Sequence, residues 1–548
     1  MSYRSLLVAV IAASVSLSTR PAAAQAVTGL GDDATLAAAG KLRLTIQSGW
    51  SYYDQRFGAA TVGGNNDALQ PLGAAFTLDT LGARQLAILR PLQDSLRALS
   101  GLAGIAVSLG STRTQITDRV TMVPITLEAG IARWLSVSVR VPIVHTSSTV
   151  FFSANRTGTE GNLGINPALG DQVALAADTG FAQQLLRTAA AVQSYCAGTG
   201  AGTNQCSSAP GLVSGATAFG RSVASYYSSG VFVPTRGSDV QRAIDSRAQG
   251  YRVSLNTFAG IAGSGIPAIS APGVIGATTP LTTAQVQQTL TDPAFGVQLD
   301  PLQTIVRTHI GDVEVAAKAL LFDSFRARDG INRFNPHGVN ARVAVAAGYR
   351  FPTGERSSPD NLTEIGTGTH QSAILARGYA DVLLGQHFWT SVIGRYTRQP
   401  AGDVVVRYAA PGEVFPLVAA RQTVQRQPGN ITQIEATPRW VFNDFVSIGG
   451  QYMYQHQPED SYSVAGGVIN SATGSPGFDP LGFGVGTQST AQRIGGGIAF
   501  SNAHAVQMGR ARFPFAVSYL HSETIRGANT PKLILDQIQV RLYRGVRR

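Results

Sequence analysis

Charged and amide side chains recur at every second position of several apolar segments. This spacing can place charged side chains along one surface. In residues 339–350, for example, Asn340, Arg342 and Arg350 alternate with valine, alanine and tyrosine. Successive side chains of a strand point to opposite faces, so this segment has one apolar face and one charged face. The candidates on such charged faces are Glu314, Lys318, Arg342, Arg350, Arg377, Asp381, Arg395, Glu435, Arg439, Gln539 and Arg541.

These charges have two possible roles. In a closed barrel they must face the lumen, because a charge on the lipid face costs about 2–4 kcal/mol at the bilayer midplane. They could pair with one another and fill a narrow interior. Alternatively, they could line a polar pore or a path for a ligand. Both interpretations stay open from the sequence.

Motifs for catalysis and for metal binding are missing from the sequence. It has no G-x-S-x-G elbow, no H-E-x-x-H, no Walker A loop and no C-x-x-C. Asp360, Asn361 and Glu364 could bind a cation, but a solvated loop is the simpler interpretation. A lipid hydrolase would need a nucleophile and a base at a recognisable spacing, and none is visible. We therefore expect no enzyme activity, no catalytic residue, no metal and no cofactor.

The two cysteines of the chain, Cys196 and Cys206, lie close together in a stretch rich in Gly, Ser, Thr and Asn. In an oxidising compartment such a pair is expected to form a local disulfide that staples a loop.

The elements that carry these charges are short alternating segments. They predict an all-β fold, namely a transmembrane antiparallel β-barrel of about 12 strands (10–14), with long outer loops and a partly helical insertion. Loop lengths support this prediction, since the long connections fall at one end of the barrel and the shorter ones at the other; 326–338 and 502–511 are longer than usual for the short-loop end. The long ones are 54–104, 153–309, 351–370, 399–430 and 456–489, and the short ones are 132–134, 385–386 and 442–444.

Composition agrees with a membrane barrel. The chain is 44% hydrophobic and only 14% charged, whereas soluble domains are about a quarter charged. Its net charge is +11, but the arginines are spread singly, so nucleic acid is not an expected partner. No stretch after the N-terminal region is long and apolar enough for a helical span.

Four segments are predicted along the chain. Residues 1–24 read as a signal peptide, with Arg4 before an apolar stretch and an A-x-A site at Ala22–Ala24. Residues 25–152 hold the first barrel strands and a helical linker, and residues 309–548 hold the remaining strands. Residues 153–308 form a large insertion, either a plug in the lumen or an outer lid, with helical spacing in 171–195 and 283–290.

Several runs resemble a known family. They are Gly311–Lys318, Arg350–Gly354, Asp360–Gly368, Phe388–Trp389 and Arg395–Tyr396. The chain resembles bacterial outer-membrane barrels of the meta-pathway phenol-degradation type, which are similar to the larger group of long-chain fatty-acid and aromatic-hydrocarbon transporters. The resemblance covers residues 310–545 and, more loosely, 42–152. It implies passage of small hydrophobic molecules without catalysis by the barrel.

The sequence thus predicts an exported barrel in the outer membrane that passes or binds small, hydrophobic molecules. Its expected partners are outer-membrane lipid, small hydrophobic solutes and the machinery that assembles outer-membrane proteins. The alternative is a structural or surface-interaction barrel whose lumen is plugged. The insertion at 153–308 is unusual for the family and keeps that alternative open.

Overall fold

A computed structural model describes most of the chain. The described residues are 32–58, 68–158, 160–324, 337–410, 412–443, 445–463, 484, 486–502 and 513–545. The predicted signal peptide, residues 1–24, lies outside the described residues.

Twelve antiparallel strands close into one barrel. They are β1 Lys41–Tyr53, β2 Thr112–Ala132, β3 Leu135–Ala154, β4 Glu314–Asp323, β5 Val339–Arg350, β6 Ala373–Leu384, β7 Phe388–Arg398, β8 Ile431–Val441, β9 Val446–Gln457, β10 Ser489–Ser501, β11 Phe515–Ala528 and β12 Ile534–Gly545. Each strand pairs with its neighbours in the chain, and β12 closes on β1 with Tyr52 opposite Ile534. The predicted all-β barrel of about 12 strands is confirmed.

Apolar side chains cover the outer face of the barrel. The exposed set includes Leu127, Val139, Val345, Val392, Ile434, Ile448, Ile494, Ile498 and Ile538. Exposed aromatic rings lie near both ends, with Trp50 and Tyr52 at one end and Trp134 and Trp440 at the other. An apolar belt with aromatic borders around a charged interior is the arrangement of outer-membrane barrels. The protein is therefore a barrel of the outer membrane.

The two ends of the barrel differ in their connections. Residues 133–134, 385–387 and 442–445 form tight connections at the end that we assign to the periplasm. At the other, outer end lie the long connections 54–111, 155–313, 351–372, 399–430 and 458–488.

Helices from two of the outer connections form a domain with its own core. They are α1 Leu89–Ser100, α2 Gln172–Ala197, α3 Ala209–Ser229, α4 Asp239–Ala259 and α5 Thr283–Thr291, with a short helix Asn204–Ser207. Leu96, Phe181, Val223 and Ile244 are fully or almost fully buried in the shared core. Phe415, from a third connection, packs its ring against Phe76 at 6.0 Å between ring centroids. We call this assembly the outer domain; the lining of the lumen cavity described below includes none of its residues.

Local sequence explains where some of these helices begin. The Asp171 side chain accepts a hydrogen bond from the Val173 amide and caps α2. Thr282 and Gln285 form a reciprocal capping box at the start of α5. The sequence analysis did not predict α3 and α4, although their buried residues recur at helical spacing, as Val240, Ile244 and Ala248 do in α4. Cys196 and Cys206 form a disulfide between the end of α2 and the short helix. No described helix is long and apolar enough to cross a membrane.

Minor elements complete the outer end. They are strands Gln55–Phe57, Leu69–Pro71, Leu163–Ile165, Phe232–Pro234, Ile305–Ile310, Gly402–Arg407, Arg421–Gln427 and Ser461–Ser463, and 3-10 turns Leu72–Phe76, Pro167–Leu169, Pro293–Phe295 and Val418–Ala420. Residues 105–109 alternate apolar and small residues as a strand would, but β2 begins only at Thr112. Ile105, Val107 and Leu109 are instead buried in the core of the outer domain.

Candidate functional site in the barrel lumen

Residues 32–38, here called the N-terminal segment, lie inside the periplasmic half of the barrel. Ala34 and Leu36 are buried there and pack in one cluster with Ala344, Tyr379 and Ile393 of the wall. The sequence did not predict this placement. The signal that could have revealed it is the acidic pair Asp32-Asp33 just before β1, in a chain whose predicted lumen has surplus arginines.

Ionic contacts hold the N-terminal segment to the wall. Arg541 Nη1 lies 2.6 Å from Asp33 Oδ2. The Ala37 amide donates to Glu128 Oε1 at 2.9 Å, and Glu128 also pairs with Arg43. Lys318 donates to the carbonyl of Asp33. Charge-assisted bonds of this kind are stronger than neutral ones, so they hold the segment firmly in this half of the lumen.

A second cluster fills the periplasmic end of the lumen. Arg342 lies 3.8 Å from Asp381, whose Oδ1 accepts a 2.8 Å hydrogen bond from Ser391. The guanidinium of Arg439 lies 4.5 Å from the centre of the Trp389 ring and donates to Ser391. Three of the candidate residues, Arg342, Asp381 and Arg439, thus contact one another or a common neighbour, as structural packing would require.

Beyond the N-terminal segment, toward the outside, the lumen contains a cavity of about 480 Å³, here called the chamber. Its lining contains eight of the eleven candidate residues, namely Glu314, Lys318, Arg350, Arg377, Arg395, Glu435, Gln539 and Arg541. Four charged residues outside the candidate set also line it, namely Arg43, Glu128, Arg140 and Arg493. With Asp32, the lining has eight cationic side chains and four carboxylates.

Glu314 is the shared partner of three arginines in the chamber. Its carboxylate lies 2.6 Å from Arg377, 3.2 Å from Arg350 and 3.8 Å from Arg140. These arginines come from three different strands. Three cations therefore share one carboxylate at this part of the wall.

Two further cations of the chamber differ in their partners. Arg395 Nη1 lies 2.6 Å from Glu435 Oε2, and Gln451 donates to the other oxygen of Glu435. The Nε of Arg493 is buried without a hydrogen bond, and Glu435 acts on this arginine only through its charge. Sequence reasoning missed Arg493 because Gly495, Gly496 and Gly497 follow it and obscure the alternating pattern.

The barrel wall is interrupted beside the chamber. Strand Ile305–Ile310 pairs with the outer half of β3, and β4 pairs with its periplasmic half. Between them, Gly311–Val313 belong to neither strand. The Gly311 amide still donates to the Pro142 carbonyl at 2.8 Å, but Pro142 has no amide hydrogen to donate in return. We call residues 311–313 the wall break.

A loop closes the wall break through specific hydrogen bonds. Asp312 accepts from the Gly354 amide and from the Thr369 amide and hydroxyl, each at 2.9 Å. Thr353 donates from its hydroxyl to the Gly311 carbonyl at 2.7 Å. We call Asp312, Thr353, Gly354 and Thr369 the latch. A Cβ on Gly354 would lie 2.7 Å from the Gly368 Cα, so the chains approach closely only because both are glycine.

The outer surface around the wall break is apolar. Ile310, Val315, Tyr349 and Phe351 are all exposed there. The rings of Tyr349 and Phe351 pack edge to face at 4.9 Å. A molecule leaving the chamber at this point would meet hydrocarbon.

The acidic loop residues that could have held a cation face arginines instead. Asp360 lies 2.8 Å from Arg407 and 3.0 Å from Arg421. Glu364 lies 3.0 Å from Arg307. Among the described residues, no group of three or more His, Cys, Asp or Glu side chains is placed to hold a metal ion.

Comparison with known proteins gives similar barrels at low identity. No protein-family model matches the chain. No curated protein matches it either. Among solved structures, it is similar to an outer membrane channel from Pseudomonas putida F1, with a TM-score of 0.40 and 8% identity, over 94% of this chain and 99% of that one.

Two other solved structures are similar over comparable lengths. A FadL homologue from Pseudomonas aeruginosa has a TM-score of 0.24 and 9% identity, over 92% of this chain and 90% of that one. The toluene transporter TbuX from Ralstonia pickettii has a TM-score of 0.26 and 8% identity, over 92% and 89%. At these values the likeness carries no conclusion about family or cargo, and the fold rests on the strand pairing.

Proposed function

We propose that this barrel passes small hydrophobic molecules across the outer membrane, through the chamber and the wall break, without catalysing a reaction on them. The observation that carries the proposal is the wall break itself. It adjoins the chamber, because Arg140, Glu314 and Arg350 line the chamber and lie at the next paired positions of the wall. The break is closed by a latch of hydrogen bonds, which can open without unfolding a strand.

The surroundings of the wall break support a hydrophobic cargo. The exposed ring and aliphatic side chains at the break face the lipid, where a polar solute would lose its hydration. The axial route toward the periplasm is filled by the N-terminal segment and its ion pairs. A sideways exit is therefore the shorter route for a molecule that prefers hydrocarbon to water.

A plugged structural or surface-interaction barrel is the second candidate. The observation that favours it is the dense pairing around the N-terminal segment and around Asp381, which is what a filled interior would show. The outer domain would then supply the surface that interacts with other molecules. The two candidates differ in whether a solute enters the cell faster when the protein is present.

Uptake by whole cells tests the proposal. A Gram-negative host that expresses the full chain is compared with the same host lacking it, using radiolabelled ethylbenzene at low concentration. We expect several-fold faster uptake with the protein. We also expect Asp312→Ala to change the rate, because it removes three hydrogen bonds of the latch.

Asp94→Ala is the matched control, because Asp94 lies in α1 of the outer domain and makes only an exposed pair with Arg97. It should leave uptake at the wild-type rate. Equal uptake by cells with and without the protein, at equal amounts of folded barrel, would contradict transport and favour the structural candidate.

A further inference from the structure

The chamber carries a surplus of positive charge that its own carboxylates do not balance. Glu128 pairs with Arg43, Glu435 pairs with Arg395, and Asp33 pairs with Arg541. The other charges of the chamber are not paired one to one. Glu314 is shared by three arginines, Lys318 lies near Asp32 and Asp33 of the N-terminal segment, and Arg493 has no carboxylate of its own. More cations than carboxylates therefore face one enclosed space.

Arg493 is the distinctive member of this set. It lines the chamber, and its Nε is buried without a hydrogen bond. The carboxylate that acts on its charge is Glu435, which is already bonded to Arg395 and Gln451. Leaving a buried charged donor unsatisfied is costly, since its desolvation is not repaid. The next inward-facing positions of β10, 495 and 497, are glycine, so no side chain of that strand covers the guanidinium on its periplasmic side.

The same chamber also has an apolar part. Ile431, Met453 and Leu535 line it, together with Ala316 and Ala346. A volume of about 480 Å³ falls within the range of about 300–1,000 Å³ that is usual for small-molecule sites. The chamber therefore offers room for a compact apolar body beside a cationic side chain that has forked donors.

We propose that the chamber binds the carboxylate of a small organic acid, with Arg493 as the residue that receives it. This inference rests on the proposed function and narrows its cargo to molecules with an apolar body and one anionic group. The planar guanidinium of Arg493 can give two parallel hydrogen bonds to a carboxylate. Neutral molecules of the same shape lack that interaction, and cationic ones are repelled by the surplus charge.

Equilibrium dialysis of the purified full-length barrel tests the site. Benzoate, neutral benzamide and cationic benzamidine are compared as probes of similar size, in uncharged detergent and chloride-free buffer of low ionic strength. We expect benzoate to bind about tenfold more tightly than benzamide, as one charged hydrogen-bonding pair would give, and benzamidine to bind most weakly. Raising the salt concentration should reduce the preference.

Arg493→Gln should remove the benzoate preference and leave benzamide binding unchanged. Arg119→Gln is the matched control, because Arg119 is an exposed arginine that lies over Tyr52 and does not line the chamber. Arg493→Lys keeps the charge and should retain part of the preference, so it serves if the glutamine variant does not fold. Heat-dependent migration on detergent gels identifies the folded variants.

Three outcomes would overturn this inference. They are equal binding of benzoate and benzamide, an unchanged preference in folded Arg493→Gln, and an equal loss in Arg119→Gln. Uptake of a neutral aromatic solute by whole cells, without any benzoate preference, would leave the proposed function standing and remove only this inference. Failure of every solute to bind or to pass would contradict both.

Discussion

Glu314 shows what one residue contributes to the lumen. Its carboxylate is surrounded by Arg140, Arg350 and Arg377, which come from β3, β5 and β6. The two-residue alternation of the strands predicts that these side chains point inward. It cannot predict that three of them meet at one carboxylate, because that depends on strand register and on closure of the barrel.

Replacing Glu314 by glutamine should destabilise the folded barrel. Glu314→Gln leaves three partly buried guanidinium groups without a counter-charge, which we expect to cost about 2–3 kcal/mol. The measurement is the temperature at which the compact band disappears on detergent gels. Glu523→Gln is the control, since Glu523 forms only an exposed pair with Lys532 at 3.7 Å and should shift that temperature little. Equal shifts in both variants would contradict the role given to Glu314.

Asp178 should make the stability of the outer domain depend on pH. Burial raises the pKa of Asp178 to about 6, whereas an unfolded aspartate titrates near about 3.9. The folded form then binds the proton more strongly, so this residue makes the domain more stable as the pH falls from about 7 to about 4, by no more than about 3 kcal/mol. Resistance of α2 and α3 to proteolysis should therefore rise over this interval.

Asp178→Asn keeps the acceptor for the Ile275 amide, a 2.7 Å hydrogen bond, and removes the titration. The variant should resist proteolysis better at neutral pH and lose most of the pH dependence. Asp239→Asn, at an exposed pair with Arg242, should behave as the wild type. An unchanged pH profile in Asp178→Asn would show that this carboxyl does not couple to stability.

At the scale of elements, strands were more predictable than helices or loops. Strands such as β5 and β6 can be recognised by the alternation of apolar and polar residues, because one face contacts lipid and the other faces the charged lumen. Helices α3 and α4 do bury a stripe at helical spacing, such as Val213, Ala216 and Val223 in α3, but the sequence analysis did not predict either helix. The N-terminal segment has no periodic pattern at all, and only its charge partners in the closed barrel fix its place.

The disulfide should stabilise the outer domain and leave the barrel unaffected. Cys196→Ser/Cys206→Ser opens a loop closed over a sequence separation of 10 residues, which costs about 2–3 kcal/mol in the chain-entropy model. We expect faster proteolysis between α2 and α3. The compact band on detergent gels should be retained, because the barrel strands lie elsewhere. Loss of that band would mean that the barrel depends on the outer domain.

At the scale of the whole molecule, the barrel holds its own N-terminal segment in its periplasmic half and carries the outer domain on its outer connections. The strand count and the sorting of long and short loops could be predicted from the sequence. The outer location of the helices and the path beside the wall break could not, because both depend on contacts between distant parts of the chain.

Removing the N-terminal segment should open an axial path. Deletion of residues 32–38 removes the Asp33 contacts of Arg541 and Lys318 and takes the segment out of the periplasmic half of the lumen. We expect larger single-channel conductance in planar bilayers than for the wild type. Deletion of residues 25–31 shortens the chain equally and should leave conductance unchanged. Equal conductance in all three proteins would contradict a closing role for the segment.

Locking the latch is the most direct test of passage through the wall break. Asp312→Cys/Thr369→Cys replaces the contact between these two side chains by a disulfide. The wild type under the same redox conditions is the control, because its native disulfide Cys196–Cys206 is exposed to the same treatment. We predict that oxidised cells take up ethylbenzene no faster than cells without the protein, and that reduction restores uptake. Undiminished uptake through a fully cross-linked barrel would contradict the sideways route.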